Sequence, residues 1–453
     1  MPIDLTNPLR WSSAQGDDLA MLDDLQGNIL DGHGRKATLN IFLSFGPDSP
    51  ACRTFVHWLE TQIMSAHTQL KQAEIFRRDK IPGSPFVGLL LSAKGYDAVE
   101  RADAKPVVDD GGAFENGMRS RAEALNDPPV KALELAYRDD LHAMILVGAD
   151  PDSPDGWESV ARDNVGTMIL NRLQLCAKVV KIEKGRAIFR ANAGSTEDTQ
   201  TKREGIEHFG YVDGRSQPLM LKELVQREAD ESDGITIWNP EFPIGPVLIA
   251  DPGAPVETRN TAFGSFFVFR KLEQDVRAFK KAEEEIGKTL GLGELAGAML
   301  VGRFEDGTPA VLQREDGGDN PVMNNFNYAG DPDGLRCPIH AHIRKTNPRG
   351  ESVRPGLAGT VDEERSHIMG RRGMTYGRRN HVLNPSDEPS GDVGLMFMAF
   401  RSNIANQFEF TQRFWANNAN FVEPGTGIDP LRSNRRSYAA TDQDVRSLGL
   451  ARA

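Results

Sequence analysis

Short apolar runs alternate with segments of helical period along the first half of the chain. The run TLNIFLSF at 38–45 predicts a strand with one apolar face. The residues on that face are Leu39, Ile41, Leu43 and Phe45. The other predicted elements are strands at 85–92, 142–149 and 176–185 and helices at 51–66 and 155–165. The order strand–helix–strand–strand–helix–strand is that of the split βαβ, or ferredoxin-like, unit.

The second half of the chain repeats this theme. The run FGSFFVFRKL at 263–272 predicts a strand that leads directly into a helix. The apolar stripe of that helix is Leu272, Val276, Phe279, Ile286 and Leu290. A further strand is predicted at 393–400 and a further helix at 406–418. The pattern therefore predicts an α+β protein made of two related halves.

Two long polar regions interrupt the predicted elements. Residues 192–262 are rich in Gly, Pro, Asp and Thr, and residues 305–392 contain four of the nine histidines. Long loops in compact domains are usually functional or disordered, so we expect the two regions to meet over a pocket. The predicted division is a ferredoxin-like half at 1–195, a linker at 196–262 and a second ferredoxin-like half at 263–453.

Composition narrows the class of protein. The chain has 453 residues, of which 39% are apolar and 26% charged, as expected of a globular protein with a sizeable core. A net charge of −12 argues against nucleic-acid binding, which needs a basic surface. The cysteines are odd in number, widely spaced and without a CxxC pair, which fits a reducing compartment. Neither a signal peptide nor a membrane span is expected, so the predicted location is the cytoplasm.

Candidate metal ligands cluster in the second polar region. The segment CPIHAHIRKTNPR at 337–349 contains Cys337, His340 and His342. One interpretation is a solvated loop with two incidental histidines. A second is a zinc or iron site, for which these residues supply three ligands but no clear fourth. A third uses a single histidine as the axial ligand of a haem.

The haem interpretation predicts cationic partners for the two propionates. Arg344, Lys345 and Arg349 follow His342 directly and are candidates for that role. A haem that activates peroxide also needs an acid–base group and a cation on its open face. Asp213 is the candidate for the first role.

The segment EHFGYVDGRSQP at 207–218 frames Asp213 with glycines. Glycine lets the backbone pass close to a planar ligand, where a Cβ would clash. The candidate cation is an arginine of GRRG at 370–373. Because the reference pKa of aspartate is about 4, such a site is expected to work best in mild acid.

Four long motifs in this order resemble the dye-decolorizing peroxidases, a family of haem enzymes with a Gly-x-x-Asp-Gly signature. GYVDG at 210–214 matches that signature, within the longer pattern at 207–218. HIRKTNPR at 342–349 is similar to the proximal-histidine segment and RRGMTYG at 371–377 to the distal-arginine segment. Supporting similarity lies at 25–30, 264–276, 301–309 and 406–418.

The resemblance implies a role for each matched residue. His342 would be the proximal iron ligand, Asp213 the distal acid–base residue and Arg371 the distal cation. Arg349 would bind a propionate. The implied haem b contacts are Gly214, Arg215, Ser216, Asn347, Arg349 and Arg371, besides His342. The implied fold is two ferredoxin-like halves that form a dimeric-type α+β barrel, with haem mostly in the C-terminal half.

The resemblance also implies an activity. Hydrogen peroxide would oxidise the haem to a ferryl intermediate, and aromatic dyes, phenolics or Mn²⁺ would return the electrons. A homodimer is compatible with it, and no membrane or nucleic-acid partner is expected. Two alternatives stay open at this stage. One is a haem-binding or iron-handling protein with weak peroxidase activity, and the other is a non-haem metal protein that uses Cys337, His340 and His342.

Several neighbouring residues receive structural interpretations. His208 is expected to pack beside Phe209, and His340 to line the pocket wall or lie near a propionate. His367 and His381 are expected at the surface, and Arg372 is the main rival of Arg371. Trp415 and Tyr376 are expected in the core.

The C-terminal tail departs from the family pattern. The resemblance implies an apolar last strand after 434–440, whereas TDQDVRSLGLARA has no alternating apolar run. We therefore expect this strand to be absent or replaced.

Overall fold

The computed structural model describes residues 2–108, 110–150, 160, 164–190, 204–232, 234–317, 323–379 and 385–432. Its strands are β1 (Ala37–Phe45), β2 (Phe86–Leu91), β3 (Ala143–Ala149), β4 (Ala177–Arg186), β5 (Ile188–Phe189), β6 (Gly205–Ile206), β7 (Ile249–Ala250), β8 (Phe263–Gly264), β9 (Phe266–Glu273), β10 (Gly370–Arg371), β11 (Met374–Tyr376) and β12 (Gly394–Arg401). Its α-helices are α1 (Asp17–Asp24), α2 (Ser49–Glu60), α3 (Ala66–Asp79), α4 (Ala93–Ala98), α5 (Ala113–Asn116), α6 (Asn164–Leu173), α7 (Lys222–Glu231), α8 (Val276–Leu290), α9 (Leu295–Val301), α10 (His342–Thr346) and α11 (Val361–Arg365). The predicted helix at 155–165 and the C-terminal tail fall largely or wholly outside the described residues.

The first sheet has four antiparallel strands in the order β2-β3-β1-β4. β1 lies in the centre and pairs with β3 on one side and β4 on the other. Because β1 and β2 are not neighbours in the sheet, the connections between strands must cross over one of its faces. The four predicted strands and their ferredoxin-like arrangement are confirmed.

Helices cover one face of this sheet. Leu39, Ile41 and Leu43 of β1 are at most 1% exposed and pack with Phe55 and Leu59 of α2. Residues of α6 join the same cluster. The alternation read from the sequence therefore marks the helix-facing side of the strand.

The prediction of a single helix at 51–66 is wrong in its extent. The structure has one helix that ends at Glu60 and a second that begins at Ala66. The hydroxyl of Ser65 accepts a hydrogen bond from the backbone N–H of Thr68 at 3.2 Å and so caps the second helix. An N-cap inside an apolar pattern separates two helices that periodicity alone joins.

The second sheet is built around β12. It pairs with β9 from Gly394↔Glu273 to Arg401↔Phe266, and with β10 and β11 on its other edge. After β9, Asp275 caps α8 by accepting from the backbone N–H of Ala278 at 2.9 Å. Leu272 therefore belongs to the strand, and its predicted place on the helix stripe is wrong.

The two sheets pack against each other. Phe42 and Met144 of the first sheet share a buried cluster with Met396 and Met398 of β12. At the edge where β4 meets β11, the hydroxyl of Thr375 donates a hydrogen bond to the carbonyl of Arg186. The α+β fold of two ferredoxin-like halves is confirmed, while the domain boundaries at 195 and 262 stay predictions.

The helix predicted at 406–418 has an unusual hydrogen-bond pattern. Residues Ile404–Glu409 and Thr411–Ala416 form two π-helical segments, with five-residue spacing between donor and acceptor. π-helical turns occur often at functional sites. Among the described residues, none of the helices has the length and apolar character that crossing a membrane requires.

Candidate active site

A cavity of about 280 Å³ lies between the second sheet and both polar regions of the chain. Its walls come from the 207–218 segment, β9, α10 and β10, and from both π-helical segments. The expected meeting of the two polar regions over a pocket is thus observed. A larger cavity of about 380 Å³ lies between the edges of β2 and β9, and none of the predicted site residues lines it.

His342 is the first residue of α10 and lines the 280 Å³ cavity. Its Nδ1–H donates a hydrogen bond of 2.7 Å to Oδ2 of Asp429, whose side chain is fully buried. Burial lowers the pKa of His342, but the charge and hydrogen bond of Asp429 outweigh burial and the net pKa is raised. Nε2 is left as the nitrogen that can bind a metal, with a carboxylate behind the ring to orient it.

Asp213 and Arg371 line the same cavity as His342. Nη1 of Arg371 lies 3.6 Å from Oδ1 of Asp213, and the two side chains are 34% and 36% exposed. Both charges act on the imidazole, where Arg371 lowers and Asp213 raises the pKa of His342. An imidazole, a carboxylate and a guanidinium therefore line one cavity.

Two glycines set the path of the chain around Asp213. Gly210 has φ +103° and Gly214 has φ +91°, which side chains with a Cβ rarely adopt. The backbone N–H of Gly214 donates to Oδ1 of Asp213 at 2.7 Å. A Cβ at Gly214 would meet no protein atom within 4 Å, so among the described residues it is backbone conformation, not crowding, that requires glycine there.

Arg372, the rival of Arg371, points elsewhere. Its guanidinium donates to the carbonyls of Asn28 at 2.8 Å and Ile29 at 2.7 Å. It also donates to the carbonyl of Arg371 at 2.7 Å. Arg372 therefore ties the N-terminal segment to β10, and Arg371 is the member of the pair that lines the cavity.

Arg303 and Arg349 form a pair of buried cations beside the cavity. Each donates to the amide oxygen of Asn324, at 2.9 and 2.7 Å, and to the hydroxyl of Ser216, at 3.0 and 3.3 Å. Among the described residues, neither has a carboxylate within ion-pair distance. Burial lowers the pKa of Arg303 to about 10 and, with the charge of Arg303, that of Arg349 to about 9. The pair is an excess of buried positive charge that suits an anionic group.

The two arginines differ in their relation to the cavity. Arg303 lines it, whereas Arg349 lies one layer behind and stacks on Phe326 at 3.9 Å. Arg349 lines a small neighbouring cavity of about 20 Å³ instead. The resemblance picked out Arg349, and the structure adds Arg303 in front of it.

The other residues expected to contact a cofactor lie at the cavity wall. Gly214, Arg215, Ser216 and Asn347 all line it. The guanidinium of Arg215 is ion-paired with Glu204, so its charge is already compensated. The amide of Asn347 donates to the backbone carbonyl of Ser216 at 3.4 Å, which joins the two polar regions.

The prediction that Arg344 and Lys345 bind propionates is wrong. Arg344 is fully buried and bonds to Asp331 and Glu351, and Lys345 donates to the carbonyls of Asn418 and Gly427 at 2.7 and 2.6 Å. Arg344 lies two positions beyond His342 and therefore faces the other side of this short helix. Lys345 is directed away from the cavity by its two carbonyl acceptors. Both cations fix α10 in the fold.

The Cys–His metal site is also contradicted. Cys337 is buried in an apolar cluster with Phe304 and Phe326, and burial raises the pKa of its thiol to about 12. His340 is buried and does not line the cavity, so its expected place at the pocket wall is wrong. No group of three His, Cys, Asp or Glu side chains is arranged to hold a metal ion in the part of the chain that the structure describes.

His367 was expected at the surface, which is wrong. It is 8% exposed, lines the cavity and stacks on Phe410 with ring centres 3.5 Å apart. Its Nδ1–H donates to the carbonyl of Asn406 at 2.6 Å. His208 takes the structural role expected of it, since its Nε2–H donates to the carbonyl of Tyr376 at 2.7 Å.

Glu207 is a cavity residue without a predicted role. Its buried carboxylate accepts from the backbone N–H groups of Phe209 and Tyr211, at 2.8 and 3.0 Å, and from the amide of Gln274. The loop that leads to Asp213 is thus folded around this carboxyl group. Burial raises the pKa of Glu207 to about 7 against these hydrogen bonds, which lower it.

This raised pKa predicts a pH-dependent stability. Between the ordinary pKa of 4.5 and about 7, the folded protein keeps a proton that the unfolded chain releases. The free energy of unfolding should therefore be highest below pH 4.5 for this group and fall by on the order of 3 kcal/mol as the pH rises to about 7. In Glu207→Gln, urea unfolding across this range should lack that fall.

The exposed Glu285 on α8 gives a matched control. Glu285→Gln removes the same charge from the surface and should leave the pH dependence unchanged. If Glu207→Gln kept the full decline between pH 4.5 and 7, the buried carboxyl would not be its source.

The sequence carries different amounts of information about Arg303, Asp429 and Glu207. Arg303 lies within the motif VGRFEDGTP, which already supports the resemblance, so that motif was its signal. Asp429 lies 87 residues beyond His342 with no characteristic spacing, so nothing in the sequence joins them. Glu207 is the first residue of the EHFGYVDGRSQP segment. Because its carboxylate accepts from backbone N–H groups, which every residue type except proline has, no sequence pattern indicates this role.

An imidazole backed by a carboxylate, with an acid and a cation in the same cavity, is the arrangement of a haem peroxidase. The chain is 45% identical over 439 residues to the multifunctional dye peroxidase DyP2 of an Amycolatopsis species, covering 95% of this chain and 88% of that protein. The solved structure of that enzyme has a TM-score of 0.84 at 43% identity and covers 94% of this chain and 89% of its own. The chain belongs to the dye-decolorizing peroxidase family, whose members are haem enzymes.

Other solved structures agree. A DyP-type peroxidase from an Anabaena species has a TM-score of 0.83 at 36% identity and covers 94% of this chain and 88% of its own. A dye-decolorizing peroxidase in complex with 2,6-dimethoxyphenol has a TM-score of 0.67 at 26% identity and covers 90% and 88%. No protein-family profile matches the chain. The protein is a peroxidase, and the predicted enzyme class is confirmed.

Proposed function

We propose that the protein binds one haem b through His342 and oxidises aromatic donors at the expense of hydrogen peroxide. The observation that carries this proposal is the convergence of His342, Asp213 and Arg371 on one cavity. A haem-storage protein needs the first of these residues but has no use for the other two. Family membership supports the same choice over the weakly active haem-binding alternative.

The residues around the cavity fit a haem in donor type and in charge. Nε2 of His342 is the available iron ligand, and Asp429 holds the ring by its Nδ1. Arg303 at the wall, with Arg349 behind it, supplies buried positive charge for the propionates. When bound, haem supplies the redox-active iron at which peroxide is reduced.

The proposed work of Asp213 is to move a proton. Peroxide must lose a proton from one oxygen and gain one on the other as the O–O bond breaks. A carboxylate in the cavity can accept the first proton and return it to the departing oxygen as a carboxylic acid. Asp213 is suited to this because the backbone N–H of Gly214 donates to Oδ1 and so orients its carboxylate.

The proposed work of Arg371 is electrostatic. Negative charge develops on the departing oxygen, and a positioned cation stabilises it most where water is excluded. The Arg371 guanidinium lies 3.6 Å from the Asp213 carboxylate, on the wall of the same cavity. The backbone N–H of Arg371 donates to the side-chain oxygen of Gln217 at 3.2 Å, so the backbone of Arg371 is tied to the 207–218 segment.

The proposed donors are phenolics and aromatic dyes. This rests on family membership and on the relative solved with 2,6-dimethoxyphenol. Oxidation of Mn²⁺, a homodimer and a cytoplasmic location stay predictions. The described residues offer no three-ligand cluster in support of a Mn²⁺ site.

Haem titration of the purified protein, followed by turnover of 2,6-dimethoxyphenol, tests the proposal. The expected result is a Soret band that saturates at one haem per chain, and phenol oxidation that needs both haem and peroxide. A saturating band without phenol oxidation would favour the haem-binding alternative. Failure of the band to form would contradict the haem proposal itself.

A further inference from the structure

Arg401, the last residue of β12, is a buried cation with most of its hydrogen-bonding capacity unused. Its exposed fraction is 0%. Nη2 donates to the carbonyl of Ala399 at 2.9 Å, whereas Nε and Nη1 have no hydrogen-bond partner among the described residues. A buried polar group without a partner normally costs stability, so its presence needs a reason.

Arg401 also lacks a counter-charge, in contrast to the buried Arg344. Arg344 bonds to Asp331 and Glu351. For Arg401, no carboxylate among the described residues lies within ion-pair distance, and burial is the sole cause that lowers its pKa, to about 9. The guanidinium therefore carries a full positive charge at neutral pH.

The nearest carboxylate on the following π-helical segment is already used. Glu409 is 2% exposed and forms a two-pronged ion pair with Arg121, through bonds of 2.8 and 2.5 Å. Arg401 is therefore not neutralised from that segment. Within the part of the chain that the structure describes, its charge is neither paired with a carboxylate nor screened by solvent.

One phenyl ring separates this charge from the catalytic cavity. The guanidinium carbon of Arg401 lies 5.1 Å from the ring centre of Phe408, and Phe408 lines the cavity that contains His342. Arg270 approaches the same ring at 5.7 Å, but Asp127 lies 2.5 Å from its guanidinium and compensates its charge. Of the two cations on this ring, Arg401 is the uncompensated one.

We propose that Arg401 sets the electrostatic potential of the cavity and thereby raises the reduction potential of the cofactor. This inference rests on the proposed haem site. An unscreened positive charge favours whichever state of the cofactor holds one more electron, and the effect is large where the surroundings have low polarisability. Burial and nearby charge are among the means by which a protein tunes a haem. The His342–Asp429 pair acts in the opposite direction, since added negative charge behind the ligand disfavours electron uptake.

Spectroelectrochemical titration of the haem-loaded protein tests this directly. Arg401→Met keeps the length of the side chain and removes the charge, so the midpoint potential should fall. Arg401→Lys keeps the charge and should keep most of the wild-type potential. If Arg401 had only a structural role, the midpoint potential would not fall in Arg401→Met while staying near the wild-type value in Arg401→Lys.

Arg413 gives a matched control. Its guanidinium also lies 5.1 Å from a phenyl ring, that of Phe414, but this ring is 48% exposed and does not line the cavity. Arg413→Met should therefore shift the potential much less than Arg401→Met. Equal shifts would point to net charge and would overturn a specific role for Arg401.

The haem-free protein supplies a second measurement. Because the unpaired cation destabilises the fold, Arg401→Met should raise the thermal midpoint, whereas Arg401→Lys should not. A Soret band of normal intensity with an unchanged potential in Arg401→Met would overturn this inference alone. Absence of a band in the wild type would overturn the proposed function and this inference with it.

Discussion

Replacing His342 with alanine should remove the Soret band of the haem-loaded protein and abolish peroxide-driven phenol oxidation. His342 is the cavity residue whose ring is fixed by a buried carboxylate while its second nitrogen stays available. His367 also lines the cavity, but stacking on Phe410 and a bond to Asn406 hold its ring. It is therefore not expected to replace the missing ligand. Absorption spectra at increasing haem concentration measure the loss.

His340 provides the control within the same HxH pair. It is buried and does not line the cavity, so His340→Ala should keep the Soret band even if it lowers the thermal midpoint. Added imidazole should restore part of the band in His342→Ala by filling the vacated space. Loss of the band in His340→Ala alone would place the ligand on the other histidine.

Replacing Asp213 with asparagine should slow the reaction with peroxide by about 10²–10⁴-fold while leaving haem binding intact. Asparagine keeps the shape of the side chain but cannot accept and return a proton. Arg371→Leu should slow the same step by about 10²–10³-fold, because it removes one positioned charge. Stopped-flow absorption after mixing with peroxide measures both rates.

The effects of the Asp213 and Arg371 substitutions on the rate should not add. Asp213 and Arg371 lie 3.6 Å apart and serve one bond-breaking step, so the double variant should be little slower than the slower single one. Arg372→Leu is the control: it leaves the carbonyls of Asn28 and Ile29 without donors and should lower stability rather than the rate. A wild-type rate in Asp213→Asn would remove the acid–base role from this residue.

The elements that the sequence predicts well are those with local causes. Alternation in 38–45 and apolar runs at 85–92, 142–149 and 393–400 produce strands because a half-buried or buried strand needs those patterns. Helix ends were predicted less well. The N-cap that begins α3 is a hydrogen bond that the Ser65 hydroxyl accepts from the backbone N–H of Thr68, and an apolar periodicity does not report such a bond.

For the cavity, too, residues within local motifs were predictable, and contacts made only in the folded chain were not. Asp213, Arg371 and His342 lie in dense motifs of charged residues and glycine, and all three line the cavity. Asp429 meets His342 only through the fold, since no periodicity connects positions 87 residues apart. Arg344 looked like a propionate partner by proximity to His342, but direction along a helix, rather than distance in sequence, decides what a side chain contacts.

The π-helical segments around Phe408 could not be predicted for a related reason. A pattern of apolar residues cannot distinguish hydrogen bonds four residues apart from those five apart. Yet this geometry places Phe408 between the cavity and Arg401. The electrostatic surroundings of the site therefore depend on a detail that is invisible in the sequence.

The most direct test of a haem peroxidase assembled by His342, Asp213 and Arg371 is rapid mixing of the haem-loaded protein with one equivalent of hydrogen peroxide. The Soret band of the wild type should shift within about a second and return when 2,6-dimethoxyphenol is added, whereas in Asp213→Asn the shift should be about 10²–10⁴-fold slower. A wild-type band that stays unchanged for minutes after peroxide is added would contradict the account, because a bound haem would then lack the activation that these residues are proposed to provide.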